Sequence, residues 1–113
     1  MGQAHVAVIG AGSWGTAMAI HLAHCGHAVS LVARDPQMVQ SMSEMRENAS
    51  YLPRIPFPDA LNVSADVGQA VAHASTVMLM VPSQAFSSCI ERIAPNIKKK
   101  TLVCWGSKGL GEI

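Results

Sequence analysis

The chain has 113 residues, enough for one small domain and too few for two. Half of the residues are hydrophobic and 13% are charged, which describes a chain with a buried core and excludes a disordered or fibrous one. A net charge of +1 with 4% aromatic residues supplies neither the basic field nor the stacking platforms of a general nucleic-acid binder.

Met1, Gly2, Gln3, Ala4 and His5 lack the basic segment and apolar run of a secretory signal, and Val6 stands where a myristoylation site takes Ser or Thr. Residues 5–9 then form a short continuous apolar run, as expected of a strand buried on both faces. A G-x-G-x-x-G pattern follows at once as Gly10, Gly12 and Gly15, opening a helix-compatible stretch over 14–25 that Gly26 closes. The second apolar run, 28–32, leads into Ala33-Arg34-Asp35-Pro36. Asp35 reads as the N-cap and Pro36 as the first residue of a helix reaching 48. Met38, Met42 and Met45 sit at helical spacing there and are expected to pack against the sheet.

Residues 49–60 contain Pro53, Pro56 and Pro58, which deny this segment a helix and make it a long ordered excursion before a weak third strand at 61–64. Asp66 caps a third helix over 66–74, the fourth strand covers 76–81, a helix covers 84–93 and the fifth strand covers 101–105. The run Lys98-Lys99-Lys100 reads as a solvated turn. No apolar stretch reaches the ~20 residues of a membrane-spanning helix, so a cytoplasmic protein with no membrane partner is expected. Cys25, Cys89 and Cys104 lack a Cys-x-x-Cys pair and are expected to be reduced packing residues.

Strands alternating with helices imply a doubly wound, mostly parallel sheet of the Rossmann type. A complete dinucleotide-binding sheet commonly has about six strands. With five, residues 1–113 are expected to be an NAD(P)-binding domain incomplete at the C-terminus, an unfinished enzyme or an excised domain.

The glycine pattern assigns physical tasks. Gly10 permits a tight turn, Gly12 leaves room for a pyrophosphate, and Gly15 lets the helix approach the strand. Backbone N–H groups near Ser13 and Trp14 would face the phosphates with the positive end of the helix dipole behind them. A glycine-rich turn without a ligand is the plainer alternative. A strand before, a helix after and a second strand about twenty residues on favour the dinucleotide site. The Ser13 hydroxyl can bind a phosphate or cap the helix. The Trp14 ring can pack on the sheet edge while its N–H faces the cofactor.

An NAD-specific site usually ends its second strand on Asp or Glu. Arg34 holds that place here, and its guanidinium can grip a 2′-phosphate through two parallel hydrogen bonds. A shift of one residue would make Asp35 the ribose ligand, but Pro36 favours Asp35 as a cap. NADP(H) is therefore the expected cofactor, with NAD(H) tolerated. His21, His24 and Cys25 lie near one helix face, with His27 beyond; their place at a helix C-terminus explains them more simply than a metal does.

Four segments together resemble the bacterial NAD(P)-dependent sn-glycerol-3-phosphate dehydrogenases. They are Val8-Ile9-Gly10-Ala11-Gly12-Ser13-Trp14-Gly15-Thr16-Ala17, Arg46-Glu47-Asn48-Ala49-Ser50-Tyr51-Leu52-Pro53, Val81-Pro82-Ser83-Gln84 and Ser107-Lys108-Gly109-Leu110. The resemblance runs the length of the chain but only along the front part of the family's usual length, and the family's helical substrate domain is expected to be absent.

The resemblance implies reduction of dihydroxyacetone phosphate to sn-glycerol 3-phosphate, feeding phospholipid synthesis. It implies a small phosphate-bearing substrate and allows a homodimer of the full-length enzyme. It also implies that Ser13, Trp14 and Arg34 bind cofactor, that Tyr51 lies near it, and that Pro82 lies beside the nicotinamide half. Lys108 would reach both cofactor and substrate, where an ammonium stabilises the charge that hydride transfer leaves on the ketone oxygen. This short chain alone is expected to be inactive.

Two departures stand out. Arg54 follows Pro53 where the family commonly has Gly, and Gly111 precedes Glu112 where an acidic residue often comes directly. Alternative readings are another reductase of the superfamily, of ketopantoate or hydroxyacid type, and a non-catalytic NADP(H)-binding module.

Overall fold

Short apolar runs pair into a sheet when helices cover both of its faces. The computed structural model describes residues 5–97 and 101–105. The strands are β1 (His5–Ile9), β2 (Ala28–Val32), β3 (Leu61–Ser64), β4 (Thr76–Leu79) and β5 (Leu102–Trp105). They form one parallel sheet in the order β3-β2-β1-β4-β5. Helices α1 (Ser13–His24), α2 (Pro36–Met45), α3 (Val67–His73) and α4 (Phe86–Ile93) fill the crossovers.

The period of two along each strand sorts the core into two layers. Val6 and Val8 of β1 join Val29 and Leu31 of β2 in one cluster with Ala19, Ile20 and Ala23 of α1 and Met42 of α2. Ala7 and Ile9 point the other way and join Val77 and Leu79 of β4, with Val71 of α3 and with Cys89 and Ile93 of α4. From β1 the chain winds outward through β2 and β3, then crosses to the other side of β1 for β4. That reversal opens a crevice at the carboxyl ends of the strands, which is where open α/β sheets hold ligands.

The local signals act as expected. Asp35 accepts a hydrogen bond from the Gln37 N–H at 2.9 Å, with Pro36 opening α2. Asp66 accepts one from the Gln69 N–H at 3.0 Å. Gly26 follows α1 with φ +98°.

Element ends differ from the sequence expectation where distant residues set them. α2 stops at Met45, not 48, because Arg46 turns to φ 56° and takes the left-handed cap. Met42 is buried and Met38 packs against the core, but Met45, on the last turn before that break, is 60% exposed and does not pack. β4 ends at Leu79, since Met80 keeps one bond to the Ile9 carbonyl at 2.8 Å and the chain then turns along the crevice. A 3₁₀ turn, Ser83–Ala85, precedes α4.

All three cysteines are free. Cys89 packs in the core, whereas Cys25 is exposed beyond the end of α1 and is no packing residue. The lysine run at 98–100 and the segment from 106 onward, including Lys108, lie outside the described residues.

Candidate functional site

The turn between β1 and α1 is shaped by steric demands that glycine alone meets. Gly10 has φ +113°, and a Cβ there would strike the Met80 carbonyl oxygen. A Cβ on Gly15 would strike the Gly10 carbonyl and press to 3.3 Å from the Met80 Cβ. Gly12 is different, with φ −79° and nothing within 4 Å of the position a Cβ would take, so its bareness leaves open space on the outer side of the turn. No side chain caps α1, whose first backbone bond runs from the Thr16 N–H to the Gly12 carbonyl at 3.0 Å. The N–H groups ahead of it are left to a ligand, with the helix dipole favouring an anion.

Ser13 is the first residue of α1 and not its cap; its hydroxyl donates to the Tyr51 carbonyl at 3.0 Å. Trp14 is 70% exposed, so its ring does not pack on the sheet edge as one reading expected; the first turn of α1 projects it to solvent.

Asn48 was missed as a site residue by sequence reasoning, which placed it at the end of a helix. It is 1% exposed, and its amide nitrogen donates to the Ala11 carbonyl and to the Thr16 hydroxyl, both at 2.9 Å. Its side-chain oxygen accepts from the Tyr51 N–H at 3.2 Å. One buried amide thus fastens the excursion to the glycine turn and places Tyr51 over it. The available signal was the Asn-x-x-Tyr spacing together with Thr16 one residue after the glycine pattern.

Arg46 closes the excursion from its other end. Its guanidinium donates to the carbonyls of Pro58 and Leu61, both at 2.9 Å, and lies 5.7 Å from the centre of the Phe57 ring. Arg54 has φ +68°, so this departure from the family's pattern puts an arginine in a backbone conformation that glycine takes freely.

These elements border a groove of about 470 Å³. Gly10, Gly12, Arg34, Tyr51 and Pro82 all line it, while Gly15 lies behind the turn and Ser13 and Trp14 stand outside the lining. Met38, Met80 and Val81 supply apolar wall, as a flat ring requires. Sequence reasoning also missed the contribution of α4, through Ser88, Cys89 and Arg92. Burial pushes the Cys89 thiol above its usual range, against the opposing pull of the positive charges of Arg92 and Arg34.

The groove therefore offers backbone donors and open space for phosphates at one end, an apolar middle, and a cation at the end of β2. The residues fit a dinucleotide. A doubly wound parallel sheet with this turn at its switch point defines a dinucleotide-binding domain of the Rossmann class.

Residues 5–113 match the family model described as NAD-dependent glycerol-3-phosphate dehydrogenase N-terminus, and the chain belongs to that family. A glycerol-3-phosphate dehydrogenase [NAD(P)+] of Thioalkalivibrio sulfidiphilus is 46% identical over 112 residues, covering 99% of this chain and 34% of the relative. The corresponding protein of Pseudoalteromonas translucida is 45% identical over 105 residues, covering 93% and 31%. The crystal structure of glycerol-3-phosphate dehydrogenase from Coxiella burnetii superposes with a TM-score of 0.88 at 37% identity, over 95% of this chain and 34% of that one. The chain thus spans about a third of the length of the curated relatives it matches. Among the described residues no helix is long and apolar enough to cross a membrane.

Proposed function

We propose that this chain forms the cofactor-holding part of an NAD(P)H-dependent sn-glycerol-3-phosphate dehydrogenase that prefers NADPH and reduces dihydroxyacetone phosphate. The observation that carries the reading is the single groove joining the glycine turn to Arg34. In it the backbone around Gly10, Gly12, Ser13, Trp14 and Gly15 receives the pyrophosphate, and Arg34 takes the 2′-phosphate of the adenosine ribose. Tyr51, held by Asn48 and Ser13, and Pro82, after β4, border the remainder.

When bound, the reduced nicotinamide supplies the hydride for the ketone carbon. Lys108 is assigned the companion task of steadying the negative charge on the ketone oxygen and the substrate phosphate. The proposal extends to a cytoplasmic enzyme whose product serves phospholipid synthesis.

Asp35 does not compete for the ribose in this scheme, because its carboxylate caps α2. Dissociation constants of NADPH and NADH for the wild-type chain and Arg34→Asp test the cofactor assignment. The variant is expected to lose about tenfold or more in NADPH affinity, roughly 1.4 kcal/mol or above, while NADH changes little. Unchanged discrimination between the two cofactors would remove Arg34 from the site.

A further inference from the structure

We propose that Arg92 is a second guanidinium for the adenosine 2′-phosphate, reaching the groove from α4 while Arg34 reaches it from the end of β2. This rests on the NADP(H) reading above and adds a specificity-determining residue to it.

The placement is helical. Ala85, Ser88, Cys89 and Arg92 stand at intervals of three, one and three along the chain, and all four line the groove. That spacing is one face of a helix, so α4 and the turn before it present a continuous stripe to the ligand space. The stripe is small at Ala85 and Ser88, which leaves room, and cationic at Arg92. Arg34 lines the same groove.

Neither guanidinium has a hydrogen-bond or ion-pair partner among the described residues. The carboxylate that also borders the groove, Asp35, is engaged with the Gln37 N–H. Cys89, one turn before Arg92, lines the same groove as both arginines, and the positive charges of both favour its thiolate against the larger opposing effect of burial. Two like charges facing one cavity repel unless an anion is brought between them. A phosphate monoester carries a charge of about −1.5 to −2 at neutral pH and three acceptor oxygens, more than one arginine fork satisfies. A ribose without that phosphate leaves both guanidiniums unmatched.

Calorimetric titration with adenosine 2′,5′-bisphosphate and with 5′-AMP isolates this end of the groove. The wild-type chain is expected to bind the bisphosphate at least about tenfold more tightly. R92Q is expected to cut that ratio by roughly fivefold or more while 5′-AMP stays within about twofold of wild type. R92K keeps the charge and loses the fork, so an intermediate ratio is expected of it. Arg92 is exposed, and both variants are expected to keep the wild-type circular dichroism spectrum.

A wild-type ratio in R92Q, or equal losses of both nucleotides, overturns the proposal; the second pattern would make Arg92 a support for the adenine ring. Should R92Q not fold, a full wild-type ratio in R92K, or equal losses of both nucleotides there, overturns it. If R34Q loses the preference and R92Q keeps it, the second guanidinium falls and the NADP(H) reading stands. A wild type that fails to discriminate overturns both.

Discussion

The two ends of the groove are made from different materials. At the glycine turn, the end assigned to the phosphates, the surface is main chain, and the identities of Gly10 and Gly15 are fixed by what the fold can accommodate: a Cβ on either meets backbone carbonyls. At the end that the proposal assigns to the adenosine, the charged side chains are those of Arg34 and Arg92, exposed and without partners among the described residues. On the proposed assignment, the shape of the phosphate end is tied to stability at Gly10 and Gly15, while the residues assigned to discrimination between dinucleotides are free to vary. Gly10 and Gly15 cannot take a side chain without straining the domain, whereas Gly12, Arg34 and Arg92 are expected to change with little effect on its stability.

Substitutions within the turn give the hardest test of that contrast. Gly15→Ala is expected to destabilise the chain by ~3 kcal/mol or more in urea unfolding, because the clash is with backbone that cannot move aside. Gly12→Ala, whose Cβ would enter open space, is expected to change stability by less than about 0.5 kcal/mol. It should nevertheless weaken NADPH binding about tenfold or more by occupying the space of the pyrophosphate. Equal stability losses in the two variants would erase the distinction between fold glycine and ligand glycine.

Asn48→Ala comes next in size. It leaves the Ala11 carbonyl and the Thr16 hydroxyl without their donor in a buried place, and a loss of about 2 kcal/mol is expected by the same measurement. An effect below about 0.5 kcal/mol would mean that water replaces the amide and that the excursion is not fastened through it. The smallest effect runs the other way. Arg54→Gly relieves a left-handed φ of +68° and is expected to raise the unfolding free energy by about 0.5–1 kcal/mol. A loss there would show that the Arg54 side chain, not backbone strain, dominates at this position.

What could be read from the sequence follows the same division between local and distant causes. The strands were legible because each is a continuous apolar run, and the caps Asp35, Asp66 and Gly26 because each acts on residues within a turn of itself. The glycine pattern was legible because its steric reasons are packed into six residues. The end of α2 was not, since Arg46 abandons the helix to reach Pro58 and Leu61, twelve and fifteen residues away. Asn48 was hidden for the same reason, its partners lying 37 and 32 residues earlier. Arg92 carries no local signature at all. It becomes a groove residue only when α4 is laid against the sheet.

The buried amide of Asn48 also bears on the kinetics of opening. Because it ties the Ala11 carbonyl, the Thr16 hydroxyl and the Tyr51 N–H into one knot, the glycine turn and the proline-rich excursion are expected to behave as a single cooperative unit in hydrogen exchange. An anion that settles on the turn is then expected to slow exchange of the Tyr51 and Leu52 amides as well, although Ala11 and Asn48 stand 37 positions apart in the chain. The excursion is in that sense a reporter segment, whose protection is expected to rise with occupancy of a site that it lines through Tyr51.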